Sequence, residues 1–269
     1  MPPYAHRRTR QVTQPTAAFM EDYLTKATAL FPPREYLCLP NLSSTQRFVA
    51  YKGRIVSTRF DASDLTDVER KRLLKAFLRC ELTCKISYAQ DLEQLLWDED
   101  ALYRYRGRKF RPSEHEAIKC VYRYMESLYG AMFAHCSDSW LPDIPTDSLS
   151  SRNTGLLYPD TLYFNANIYA SDMGWQDYVG SISEMLAYFG FGLITALLRS
   201  ATAGKHGRDY LKRWFMDLHK TRTRGYLLSY PSSQNPDHSL EGTKEEHYRD
   251  GPGMYRMLYD RISKSFPLY

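Results

Sequence analysis

The sequence has no long hydrophobic run. Its longest uncharged stretch, MLAYFGFGLITALL from Met185 to Leu198, covers 14 residues and contains two glycines, well short of the roughly 20 apolar residues a helix needs to cross a bilayer. It reads as a buried core segment, and no membrane is expected among the partners. No secretory pattern is seen either, because the basic start MPPYAHRRTR is not followed by an apolar stretch. Cysteine is sparse and odd in number: Cys38, Cys80, Cys84, Cys120 and Cys136 lack the density of a disulfide scaffold. A reducing intracellular location, cytoplasm or nucleus, is therefore expected.

A strong excess of one charge is also missing. The 36 basic residues nearly match the 31 acidic ones, leaving a net charge of +5, whereas a dedicated nucleic-acid binder usually carries a clustered excess. Strand-like alternation is scarce, and no repeat of 20 to 50 residues is visible. Signatures of chemistry are absent one after another. Gly190-Phe191-Gly192 lacks the third glycine of a dinucleotide loop and follows a helical pattern. No P-loop can be written around Gly204-Lys205, and no G-x-S-x-G elbow exposes a serine. His115-Glu116 is followed by Lys119 where H-E-x-x-H needs its second histidine. The run Asp98, Glu99 and Asp100 reads as an acidic surface. Cys80 and Cys84 supply one short-spaced pair, but a tetrahedral zinc site needs a second, and none has matching spacing. No metal, cofactor or catalytic residue is assigned.

What is present is a helical chain with a core. Hydrophobic residues make up 43% and aromatics 14%, with 22 tyrosines, which is enough apolar surface for a folded domain and argues against disorder as the main state. Residues 1–15, with Arg7, Arg8 and Arg10, are expected to form a disordered arm. Thr16 then caps a helix near 17–31, with Phe19, Met20, Tyr23, Leu24, Ala27, Leu30 and Phe31 at helical spacing and Pro32-Pro33 as the stop. A second helix is expected near 44–60, with Phe48, Val49, Ile55 and Val56 inward, although Gly53 interrupts it.

The third helix, 66–88, opens on a capping box, Thr66 with Glu69. At about 100° per residue, Leu73, Phe77, Cys80 and Cys84 form one stripe flanked by Leu74 and Tyr88. The bases Lys71, Arg72, Lys75 and Arg79 gather opposite. They form either a solvated helix face or a phosphate-contacting one. DLEQLLWDEDALYRY reads as a short helix. The segment 113–136, with a capping box of Ser113 and Glu116, carries Ile118, Val121, Met125, Leu128, Met132 and Cys136 on one face and should be central. A Ser-, Asp- and Pro-rich stretch, 137–175, is either a surface loop or a boundary between parts 16–136 and 176–269. Helices follow near 177–202 and 206–221, the latter with Tyr210, Leu211, Trp214, Phe215 and Leu218 spaced for burial. Residues 231–252 look like an exposed excursion. The expected fold is mainly α, a single irregular multi-helix domain over 16–269 with a long central loop.

LTDVERKRLLKAFLRCELTCKIS, 65–87, is similar to a segment of a mostly uncharacterised filamentous-fungal protein family in which Ser/Thr-x-x-Glu-Arg-x-Arg leads into Ala-Leu-Tyr-Arg-x-Glu-Leu-Tyr-Cys-Asn. The matching residues are Thr66, Glu69, Arg70, Arg72, Ala76, Phe77, Arg79, Glu81, Leu82 and Cys84. SEHEAIKCVYRYMESLY, LAYFGFGLITALLRSAT and GMYRMLYDRIS resemble later segments of the same family in the same order. Members are often described as F-box-like, which implies an adaptor that brings substrates to a ubiquitin ligase. The F-box helix trio itself is not recognisable before residue 41, and the resemblance carries over no site residues. The function expected is a protein-interaction module with an unknown protein partner. The alternatives are an enzyme with its site between helix 113–136 and loop 137–175, and a weak nucleic-acid binder using Lys71, Arg72, Lys75 and Arg79.

Overall fold

The computed structural model describes residues 4–29, 32–42, 46–90, 111–141, 168–175, 182–202 and 206–229. Among them are seven α-helices and one two-stranded sheet, so the chain is mainly α. The helices are α1 (Tyr4–Ala27), α2 (Pro32–Tyr36), α3 (Asp67–Gln90), α4 (Pro112–Cys136), α5 (Ile182–Ala187), α6 (Gly190–Thr202) and α7 (Gly207–Ser229). The strands are β1 (Phe48–Tyr51) and β2 (Arg54–Thr58). The proposed helix in DLEQLLWDEDALYRY, most of loop 137–175, the 231–252 excursion and GMYRMLYDRIS lie outside the described residues.

The central element is α4. All six residues of its expected stripe are buried, and so are Tyr122, Tyr124, Tyr129 and Phe133 on its other sides. A helix apolar nearly all round belongs in the middle of a bundle, and α3, α5, α6 and α7 all pack on it. Its tyrosines bury their rings and spend their hydroxyls on neighbours. Tyr122 donates to Glu184 O (2.9 Å), Tyr129 to Leu186 O (3.1 Å) and Tyr124 to Asp22 Oδ2 (2.7 Å), which ties α4 to α5 and α1. Its start differs by two residues from the sequence expectation. Arg111, not Ser113, is the N-cap, because Pro112 takes the first helical position, where its missing N–H costs nothing. Glu114 then accepts the Arg111 N–H at 3.3 Å.

The capping box at α3 forms as expected, with Thr66 N donating to Glu69 Oε2 (2.9 Å) and Glu69 N to Thr66 Oγ1 (3.3 Å). Leu73, Phe77, Cys80 and Cys84 are all at most 5% exposed, so the two cysteines are core thiols. Phe77 stacks on Phe191 of α6 at 5.4 Å, and Phe19 of α1 meets the same ring at 4.8 Å.

Two expectations change. Tyr4–Ala27 is one helix with Pro15 inside it, so the segment read as a disordered arm is drawn into α1 instead of a helix starting at a Thr16 cap. The helix expected at 44–60 is a β-hairpin. Lys52 (φ 47°) and Gly53 (φ 84°) make its two-residue turn, the left-handed pair that suits the twist of a hairpin. The flanking Val49, Ile55, Val56 and Thr58 are β-branched residues that favour strands. Of the four side chains expected inward, only Val49 is buried, while Phe48 (39%) and Ile55 (66%) are exposed. In α7, Leu211, Trp214, Phe215 and Leu218 are buried, but Tyr210 is exposed.

Candidate functional site

The hairpin docks by its turn onto the end of α4. A helix C-terminus leaves carbonyls without intrahelical partners and carries partial negative charge. Lys52 supplies both donor and cation, reaching Ser137 O (2.7 Å) and Ser139 O (3.0 Å). The neighbouring Tyr51 hydroxyl lies 3.0 Å from Ala134 O and 2.6 Å from Ser139 Oγ. Beneath the hairpin is a cavity of about 300 Å3, bounded by α1 (Asp22), the 39–41 segment, β1 and the turn after it (Lys52, Gly53), α4 (His135), α6 (Ala201) and α7 (Arg208, Leu211).

Its polar groups come from four separate parts of the chain. Asp22 is 2% exposed and one-sided in its bonding. Its Oδ2 takes both the Lys26 ammonium (2.7 Å) and the Tyr124 hydroxyl (2.7 Å), whereas the equally buried Oδ1 has no hydrogen-bond partner. The His135 ring donates to the Leu37 backbone carbonyl, and its Nε2 is buried without a partner. Burial first, and the Lys52 charge second, push the His135 pKa down to about 4, so the ring is neutral at neutral pH. Burial, followed by the Arg208 charge, lowers the Lys52 pKa. Two cations thus share one wall of the cavity.

A second feature is the surface of α3. The four bases singled out by sequence divide there. Arg72, Lys75 and Arg79 line a groove of about 450 Å3 toward the start of α4, together with Arg111 and Glu114, and Lys71 lies outside that lining. Glu114 Oε1 receives both Lys75 (2.8 Å) and Arg79 (2.7 Å). With the Arg111 N–H they hold its carboxyl down at about 2. Half of the expected contact face is therefore engaged within the molecule.

Sequence reasoning passed over the leucines on the other side of these bases. Leu74 (37%), Leu78 (49%) and Leu82 (57%) are exposed at four-residue spacing. Lys71, Lys75 and Lys85 border them, all at exposed positions. Their signal was present as an i, i+4, i+8 leucine pattern, but α3 already had a full core stripe and Leu74 was counted with it.

Among the described residues, no group of three or more His, Cys, Asp or Glu side chains stands where it could hold a metal ion, and no helix is long and apolar enough to cross a membrane. None of the five cysteines is in a disulfide, and burial pushes Cys38 and Cys136 up to about 12, far from nucleophilic thiolate. The start of α6, at Gly190-Phe191-Gly192, is occupied by the protein's own anion, since Glu81 Oε2 accepts the Phe191 N–H at 2.7 Å. Comparison with protein-family models, with curated proteins and with solved structures finds no match.

Proposed function

We propose that this chain is a protein-interaction module whose docking surface is the outer face of α3. The observation that carries this reading is the exposed row Leu74, Leu78 and Leu82 on a helix whose opposite stripe is fully buried. A helix needs only one apolar stripe to hold its place in a fold, and a second one facing water costs solubility unless something covers it. Four-residue spacing suits the apolar face of a partner helix laid alongside. Lys71 beside the row adds a preference for an acidic flank on that helix, acting mainly on encounter rate and orientation. An interaction role is also what the sequence resemblance implies.

The test is affinity purification of wild type and of a Leu78→Glu/Leu82→Glu double variant from the source cells. Wild type should recover a protein that the variant loses, with the circular dichroism of the two chains unchanged. An identical set of recovered proteins would count against this surface.

The nucleic-acid reading has less support, because the Glu114 carboxylate already engages Lys75 and Arg79. Charge reversal at Lys71 and Arg72 with no change in a salt-titrated binding assay would remove it. The enzyme reading places its site between α4 and loop 137–175, and most of that loop lies outside the described residues.

A further inference from the structure

We propose that Ser113 is a phosphorylation site and that the groove between α3 and the start of α4 seats its phosphate, with Arg72 and Arg111 as the cations that hold it. This site does not depend on the docking role given to the outer face of α3. Ser113 is the second residue of α4, is exposed, and lines the groove of about 450 Å3. The same lining holds four cations, Arg72, Lys75, Arg79 and Arg111, against two carboxylates, Glu69 and Glu114. Two positive charges are thus left without an anion. A phosphoserine carries about −1.5 to −2 at neutral pH, so one phosphate at this one position neutralises the groove.

The engagements already made decide which cations serve. Glu114 Oε1 takes both Lys75 and Arg79. Glu69 turns to the α3 cap, accepting the Thr66 N–H at 2.9 Å and its hydroxyl at 2.6 Å. Arg72 and Arg111 have no ion pair among the described residues, and a guanidinium fork matches phosphate oxygens in pairs. The helix start adds a smaller preference for negative charge. A kinase must also reach the hydroxyl in extended chain. None of residues 111–117 is buried and the core stripe of α4 begins at Ile118, so the first turn can open without uncovering the core. Glu114 and Glu116, one and three residues after Ser113, form the charge pattern that a serine kinase with a basic cleft selects. In the transfer, Ser113 Oγ attacks the γ-phosphorus of a nucleoside triphosphate and the bond from that phosphorus to the β–γ bridging oxygen breaks. The nucleoside diphosphate leaves, and the hydroxyl proton passes to the base of the kinase.

The experiment takes the full chain with phosphoserine incorporated genetically at position 113 and follows it by phosphorus NMR and thermal unfolding. The second pKa of the phosphate, ordinarily about 6, should fall by about one pH unit beside the two guanidiniums, and Tm should rise above that of the unmodified chain. Arg72→Ala should return the NMR midpoint toward its ordinary value and remove the gain in Tm. In the unmodified chain the same substitution should leave Tm unchanged, because Arg72 is exposed. An ordinary midpoint with no gain in Tm overturns the groove as the seat of the phosphate. Inorganic phosphate at millimolar concentration that stabilises the unmodified chain as much as the covalent phosphate does would assign the groove to a free anion and overturn the modification. Mass spectrometry of the protein from its source cells, with phosphatases inhibited, should find phosphate on Ser113. Recovery of the peptide over Ser113 only in unmodified form overturns the modification as well.

Discussion

Replacing Gly190 by alanine should expose how α3 and α6 are fastened together. Gly190 has φ 70°, and an alanine there pays roughly 1–2 kcal/mol for the left-handed backbone alone. Its new Cβ would also run into the Glu81 carboxylate, with Cys84 Cβ 3.3 Å away. That carboxylate is the acceptor for the Phe191 N–H at 2.7 Å, a charge-assisted bond worth about 1.5–3 kcal/mol at a helix start that favours negative charge. Gly190→Ala should therefore cost roughly 2.5–5 kcal/mol, the sum of strain and lost bond. Glu81→Ala should cost about 1.5–3 kcal/mol, and Glu81→Gln less, because it keeps an acceptor. The double variant is the informative one. With the carboxylate already gone, the added Cβ brings only the backbone strain, so the double variant should fall short of the summed singles by about 1.5–3 kcal/mol. Urea denaturation followed by far-UV circular dichroism measures all four proteins. Losses that add to within about 0.5 kcal/mol would refute the claim that Glu81 holds the start of α6.

Gly53→Ala should lower stability by roughly 1–2 kcal/mol purely through its φ of 84°, since the added Cβ meets nothing within 4 Å; an unchanged urea midpoint would contradict the hairpin turn. His135 sets a pH dependence of known sign. Its folded pKa is pushed down to about 4 from an ordinary value of 6.5, so below 6.5 the unfolded chain takes up a proton that the folded chain refuses, and stability falls as pH drops from 6.5 toward 4. Two and a half pKa units correspond to roughly 3 kcal/mol over that window. His135→Gln should flatten the slope by that amount, as urea midpoints at intervals between pH 4 and 7 will report.

The central helix was legible in the sequence because its apolar stripe repeats from Ile118 to Cys136, long enough for period 3.6 to outweigh any local accident. The α3 capping box was legible for the opposite reason, being wholly local to Thr66 and Glu69. The hairpin was not. Phe48, Val49, Ile55 and Val56 match helical spacing as well as strand spacing, the strands are short, and the turn is Lys-Gly instead of the stronger Asn-Gly signal. The β-branched residues and Gly53 together were the better guide, and they conflicted with the apolar spacing. At the start of α4, Pro112 sets the cap at Arg111, two residues before the one that Ser113 and Glu116 suggest. The cavity was beyond any reading by spacing. Asp22, Lys52, His135 and Arg208 come from four segments, and only the fold brings them to the wall of one cavity. The leucine row on α3 lay in plain view, yet only burial tells which of two apolar stripes faces the core.

The claim that the outer face of α3 is a docking surface is tested most directly by a photo-crosslinking amino acid placed at position 78, at position 82 and, as a control, at the exposed position 210 of α7. Leu78 and Leu82 are 49% and 57% exposed and Tyr210 is 39% exposed, so substitution at any of them should change stability by no more than about 0.5 kcal/mol. In the source cells, positions 78 and 82 should capture the same protein, and position 210 should not. Capture from 210 alone, or from none of the three, would contradict an interaction through this helix face.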